Sequence, residues 1–153
     1  MKVVVQRVVK ASVTVDEELV SSIGRGLCVL VGISRDDTKK DMDYIVRKLI
    51  NLRVFDGENG RRWDVSVKDK GYEILCISQF TLYHALKGNK LDFHNAMSAD
   101  RSEAFYKAFL DSMRSQYQPE LIKDGRFGAY MQVSMENDGP VTVVLESPKK
   151  EEL

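Results

Sequence analysis

Apolar residues in this chain arrive in strand-length runs separated by glycines and turn residues, and this pattern narrows the possible folds more than any other feature. The clearest run is Leu27-Cys28-Val29-Leu30-Val31, bracketed by Gly26 and Gly32. A continuous apolar stretch of that length predicts a strand buried on both faces, from Gly26 to Ile33. Val3-Val4-Val5, Val8-Val9 and Ser12-Val13-Thr14-Val15 are β-branched and partly alternating. They predict two N-terminal strands joined through Lys10-Ala11, with a short strand following over Leu19 to Ile23. Another long apolar strand is predicted over Tyr72 to Tyr83, ending in the polar tail Ser78-Gln79-Phe80-Thr81. Closing strands are predicted over Phe127 to Met135 and Val141 to Glu146, with the turn Glu136-Asn137-Asp138-Gly139-Pro140 between them.

Two segments carry a helical period instead. Thr38 followed by Asp41 resembles a capping box with Asp in place of Glu, and Met42, Ile45, Val46, Leu49 and Ile50 recur on one face, which predicts a helix over about residues 38 to 52. Ser98 is a candidate N-cap for a second helix whose face is marked by Phe105, Ala108, Phe109, Ser112, Met113 and Tyr117, with Pro119 just beyond its end. Asp56 to Gly60 reads as a turn-rich loop. Residues 84 to 97 have no clear period and read as a mobile loop. The chain has 153 residues and shows no repeat or linker, so one domain is expected over residues 1–148, followed by a charged tail at 149–153. The expected architecture is α+β: a single mixed, mainly antiparallel, barrel-like β-sheet with two main helices.

Composition removes several classes of function. The 23 basic and 23 acidic side chains cancel, so whole-molecule attraction to a polyanion is weak and a nucleic-acid partner would need a local basic patch. No apolar run approaches the ~20 residues of a membrane span. The first strand pattern begins at Lys2 with no leader-like segment before it, which makes a cytoplasmic protein the expectation. Cys28 and Cys76 each sit inside an apolar strand pattern without metal-ligand spacing and read as reduced core residues.

Familiar catalytic constellations are hard to assemble. His84 and His94 lie ten residues apart without metal-binding spacing, so no metal or other cofactor is expected. Ser78, His84 and several aspartates exist, but no GxSxG turn exposes a serine nucleophile. Gly24-Arg25-Gly26 lacks the further glycine and helix of a dinucleotide site and reads as a tight turn. Two segments remain. Ser78-Gln79-Phe80-Thr81-Leu82 ends a buried strand, where polar side chains and backbone N–H groups can emerge together as an oxyanion site, or where a strand simply exits. Asn137-Asp138-Gly139-Pro140-Val141-Thr142 can be a tight turn with outward-facing carbonyls, or a commonplace Gly-Pro turn.

Taken together with the opening Met1-Lys2-Val3-Val4-Val5-Gln6-Arg7-Val8, these two segments resemble the D-aminoacyl-tRNA deacylase family of bacteria and eukaryotes over nearly the whole chain. The resemblance implies a homodimer that hydrolyses the ester between a D-amino acid and the 3′-terminal adenosine of tRNA. It also implies removal of glycine mischarged on tRNA-Ala. In such a protein Gly139 and Pro140 would form a cis Gly-Pro chirality filter that enters the partner subunit's active site. Ser78, Gln79, Phe80 and Thr81 would line the receiving pocket, Arg7 would hold the turn, and Phe127 and Met131 would lie near the terminal adenosine. The implied chemistry needs no strong protein base, because an aminoacyl ester is activated and the ribose 2′-OH can assist water. Thr81 is a weaker candidate nucleophile.

Lys87, Lys90, Lys123 and Arg126 are candidates for a basic rim facing the acceptor end, or else plain solvated surface. Two other readings compete. One is the related animal deacylase that removes alanine from threonine tRNA, whose first motif differs from Ser78-Gln79-Phe80-Thr81. The other is a catalytically silent nucleic-acid-binding protein on the same fold, which the zero net charge and the lack of a basic C-terminal extension make a poor expectation for DNA.

Overall fold

The computed structural model describes residues 1–149, so the predicted charged tail lies, Lys149 apart, outside the described residues. The β-branched opening forms one strand, β1 (Lys2–Val15), rather than two. The strand passes the expected joint by a bulge and not a turn: Val8 pairs with Asn137 and Lys10 with the next residue, Glu136, leaving Val9 as one extra residue, and the buried positions shift from Val8 to Ala11 across it. One edge of β1 pairs antiparallel first with β3 (Gly26–Gly32) and then with β2 (Glu18–Ile23). The other edge pairs along nearly its whole length with β8 (Gln132–Glu146). From β3 the sheet continues in parallel through β4 (Glu73–Ser78) to β7 (Ile122–Asp124). The Ser21 hydroxyl then donates to the Asp124 carbonyl at 2.7 Å, joining β2 to β7 and curling the sheet into a nearly closed barrel.

The predicted helices are present as α1 (Lys39–Asn51) and α3 (Ala99–Gln116), and a third, short helix, α2 (Val67–Lys70), lies between them. The Asp41 carboxylate accepts the Thr38 backbone N–H at 2.8 Å, the reach-back bond of the capping signature. On α3 the buried face is Ser102, Tyr106, Phe109, Leu110 and Met113, rotated from the predicted stripe so that Ala108 faces water. Two cores result. Val3, Val5, Leu27, Val29, Ile74 and Cys76 pack beneath the helices with Ile45, Leu49, Phe109 and Met113. Val8, Ala11, Val13, Ile23, Cys28, Leu75 and Ile77 fill the concave side. Among the described residues no helix is long and apolar enough to cross a membrane.

Three expectations are corrected. The strand predicted over 72–83 stops at Ser78, because the Gln79 carbonyl accepts the Leu82 N–H at 3.3 Å and winds Phe80–Leu82 into a 3₁₀ turn. The loop predicted over 84–97 contains a hairpin, β5 (Ala85–Lys87) and β6 (Lys90–Asp92), built on the two-residue Gly88-Asn89 turn with Gly88 at φ +63°. The closing segment is one strand: Phe127 to Met131 is a turn, and residues 136–140 do not reverse the chain, because both of their flanks pair with β1. Between the pairs Val8–Asn137 and Gln6–Thr142, β8 takes five steps where β1 takes two, so Asp138 to Val141 bulge outward opposite Arg7.

Both cysteines are free and buried. Burial pushes the Cys28 thiol up to about 11 and raises Cys76 further still, with the Asp124 carboxylate adding to the effect. A thiol-specific reagent at pH 8 is expected to leave both unlabelled in the native protein and to label both in denaturant; prompt labelling of a native thiol would contradict this packing.

Candidate active site

Strand β4 delivers the first motif to its place. Its alternating Ile74, Leu75, Cys76 and Ile77 are buried on both faces, so the first polar side chains to face a cavity are Ser78 and Gln79, where it ends. The Gln79 N–H donates to the Val31 carbonyl at 2.8 Å and pins the turn to β3. Gly32 allows the close approach: a Cβ there would lie 2.8 Å from Leu82 Cβ. Phe80 and Thr81 open the turn, and among the described residues their N–H groups have no protein acceptor.

Beside this turn lies a cavity of about 560 Å³. One wall is Ser78, Gln79 and Phe80; a second is Phe93, Ala96 and Met97; a third is the turn bearing Phe127, Tyr130 and Met131. The aromatic walls are braced. Phe80 stands edge-on to Phe93 at 4.9 Å between ring centroids. Phe127 lies 5.8 Å from Tyr106, whose hydroxyl donates to an Asp124 carboxylate oxygen at 2.6 Å. Burial raises the Asp124 carboxyl above its ordinary range, opposed by that hydrogen bond. The Arg126 N–H donates to the Met131 sulfur at 3.4 Å.

The structure thus gathers five predicted site residues, Ser78, Gln79, Phe80, Phe127 and Met131, around one cavity. Thr81 is adjacent but off the wall. Its hydroxyl is engaged by the Gln79 amide, and the nearest imidazole, His84, contacts the Thr81 carbonyl at 2.8 Å rather than the hydroxyl. Among the described residues no base is therefore placed to activate it. Among the described residues no cluster of His, Cys, Asp and Glu is arranged to hold a metal.

Gly139, Pro140 and Arg7 lie elsewhere. The Gly139–Pro140 peptide is cis, and both residues are exposed at the bulge of β8. Arg7 holds the bulge: its Nε donates to the Asp138 carbonyl at 3.2 Å and its Nη1 to the Val54 carbonyl at 2.7 Å. Asp138 also draws in Arg25, with 3.6 Å between charged atoms. The Asn137 side chain closes the bulge, accepting the Val141 N–H and donating to the Thr142 hydroxyl, each at 3.1 Å. Gly139 has φ +125°, and a Cβ there would meet Val141 Cγ2 at 2.9 Å and Arg7 Nη2 at 3.2 Å, so only glycine fits without movement. In register terms Arg7 sits at the Gly26 end of β3, whereas Ser78 pairs with Val31 at the other end. Their β3 partners, Leu27 and Val31, are four strand steps apart, about 13 Å.

Sequence reasoning missed Gly32 and the second wall. A lone glycine at the end of a strand is a signal of close backbone approach; Phe93, Ala96 and Met97 carried no periodic signal of their own.

A sequence profile of the family described as "D-Tyr-tRNA(Tyr) deacylase" matches residues 4–146. The chain belongs to this family. It is 63% identical over 148 residues to the D-aminoacyl-tRNA deacylase 1 of Bos taurus, covering 97% of this chain and 71% of that one. It is 59% identical over 152 residues to the D-aminoacyl-tRNA deacylase of Drosophila melanogaster, covering 99% and 96%. Among solved structures, that of a "c-Myc DNA Unwinding Element Binding Protein" superposes with a TM-score of 0.95 at 62% identity, covering 97% of this chain and all of that one. The structure of a probable eukaryotic D-amino acid tRNA deacylase shares the fold, with a TM-score of 0.82 at 19% identity.

Gly32→Ala is expected to cost about 1–3 kcal/mol in urea unfolding by forcing Leu82 and its turn outward. Gly24→Ala, where a Cβ has only a Glu73 carboxylate oxygen at 3.8 Å, is expected to change stability little. Equal effects of the two would contradict the close approach.

Proposed function

We propose that this chain hydrolyses the ester joining a D-amino acid to the 3′-terminal adenosine of tRNA, and clears glycine mischarged on tRNA-Ala in the same way, as a homodimer in the cytoplasm. The observation that carries this reading is a cavity beside a turn whose Phe80 and Thr81 N–H groups are unpaired, with no activated nucleophile among the described residues, in a member of the deacylase family. That set suits a substrate which brings its own reactivity. Water adds to the ester carbonyl, assisted by the ribose 2′-OH. The oxygen of the tetrahedral intermediate gains negative charge and accepts the N–H of Phe80, with that of Thr81 beside it, a contribution of roughly 3–4 kcal/mol per well-placed donor. The bond from the carbonyl carbon to O3′ then breaks, the departing oxygen takes a proton, and free amino acid and tRNA result. Phe127 and Met131 offer apolar contact for the adenine.

Handedness is assigned to Gly139 and Pro140 of a second copy. Two features support this. The bulge lies at the far end of the strands from its own cavity, so a chain cannot fill its own site with it. The outer edge of β8 has no strand partner among the described residues, although its Val144 is 59% exposed; a long open edge of this kind invites a second chain. Inside the partner subunit's cavity the Gly139 and Pro140 carbonyls would accept the α-amino group and leave room at Cα for hydrogen or a D side chain only. Specificity then rests on rejecting L side chains, and many D-amino acids are tolerated.

The proposed basic rim is uneven. Lys87 is tied to Asp92 at 2.7 Å, a contact that with the two His94 hydrogen bonds holds the Asp92 carboxyl well below its ordinary range. Lys90 and Arg126 are the better candidates for phosphate contact. A DNA-binding reading draws on the likeness to the 62% identical DNA unwinding element binding protein, but a net charge of zero gives it little electrostatic drive.

The deciding assay compares D-Tyr-tRNA with L-Tyr-tRNA, with duplex DNA binding as control. Release of D-tyrosine with L-Tyr-tRNA spared is expected; equal hydrolysis of both, or DNA binding without hydrolysis, would overturn the reading. Gly139→Ala, which displaces the bulge, is expected to lower the rate on D-Tyr-tRNA by about 100-fold, as small misplacements in active sites do.

A further inference from the structure

The turn that forms the third wall of the cavity carries one aromatic ring that the fold does not use. Gly125 N–H donates to the Cys76 carbonyl at 3.2 Å and Ala129 N–H to the Arg126 carbonyl at 3.1 Å, so the turn is fixed to the sheet from below. Phe127 is packed on Tyr106, and Met131 is held by the Arg126 N–H. Tyr130, between them, is 86% exposed and has no aromatic, cationic or hydrogen-bonding partner among the described residues. A rigid turn therefore holds a bare ring at the rim of the cavity. Arg126, also exposed, lies on the same turn, and among the described residues its guanidinium has no carboxylate partner.

A free ring and a free guanidinium on one turn are the kinds of group with which proteins hold single-stranded nucleic acid: the base stacks on the ring and the backbone phosphate faces the cation. We propose that Tyr130 is a stacking platform for the base immediately 5′ of the terminal adenosine in the single-stranded 3′ end of tRNA, with Arg126 facing the phosphate that links the two nucleotides. This rests on the reading of the cavity as the terminal adenosine's site and extends it by one nucleotide. Stacking tolerates any base, so the platform adds affinity for the tRNA end without adding preference among tRNAs.

The test uses two substrates for the same ester: D-Tyr-tRNA, and D-tyrosine esterified to the 3′-OH of adenosine, which has no 5′ neighbour. Tyr130→Ala is expected to raise KM for the tRNA about tenfold or more, the usual scale of a lost base–aromatic stack, with the effect in KM rather than kcat. That loss should exceed the loss on the adenosine ester at least several-fold. Tyr130→Phe should restore tRNA binding, because stacking needs the ring and not the hydroxyl. Arg126→Gln should flatten the salt dependence of KM for tRNA by about one phosphate contact. Equal losses on both substrates, no loss on either, or a Tyr130→Ala protein whose mass by light scattering drops to that of a single chain would overturn the platform; the last result would assign the ring to subunit contact. If the wild-type protein hydrolyses neither ester, the underlying deacylase reading fails and the platform goes with it.

Discussion

The structure depends on one strand that is paired along both edges. β1 bonds to β3 and then β2 on one side and to β8 on the other, so the main sheet is organised around residues 2 to 15. Alternation puts Val3 and Val5 under the helices and Val8 on the concave side, and the extra residue Val9 shifts the register so that Ala11 and Val13 join Val8 there. One strand thereby serves both cores. The same double pairing makes the bulge of β8 possible. With pairing at Gln6–Thr142 on one side, at Val8–Asn137 on the other and in regular register from Lys10–Glu136, the surplus residues have nowhere to go but outward, and Arg7, the β1 residue left opposite them, turns its guanidinium to their carbonyl.

That arrangement separates two things that the proposed chemistry needs together. The donor-bearing turn after β4 sits at one end of the central strands and the rigid Gly139-Pro140 bulge at the other. A flexible loop could bridge such a distance, but this bulge is held by Arg7, by Asn137 and by the strand pairs on either side. Its stiffness suits a gauge of handedness, since a soft one would yield to an L side chain, and the same stiffness keeps it from folding back on its own cavity. The edge of β8 away from β1 is the complementary feature in the proposed dimer, because among the described residues it has no strand partner.

Much of this was legible in the sequence where the signal is local and periodic. The buried strand from Gly26 and the helix after Thr38 lie where the pattern puts them. The hairpin at 85–92 was hidden because its strands are three residues each, too short for alternation to register, although Gly88-Asn89 is a two-residue turn signal. The single long β8 reads as two strands in the sequence because a Gly-Pro pair ordinarily reverses the chain; only pairing of both flanks with β1, a long-range fact, shows otherwise. The cavity's second wall and Tyr130 carry no sequence pattern at all, since their meaning lies in what stands across the space from them.

The central claim is that a working site is assembled from the Ser78–Thr81 turn of one chain and the Gly139-Pro140 bulge of another. Mixing two defective proteins tests it most directly: Gly139→Ala, which spoils the bulge, and Phe80→Pro, which removes a backbone donor while suiting the first position of a helical turn. After unfolding and refolding together, mixed dimers would each hold one intact site, and roughly a quarter of wild-type D-Tyr-tRNA hydrolysis should return if subunits pair at random in a two-fold dimer. A mixture no more active than its parents, from a protein that sediments as a single chain, would contradict the account.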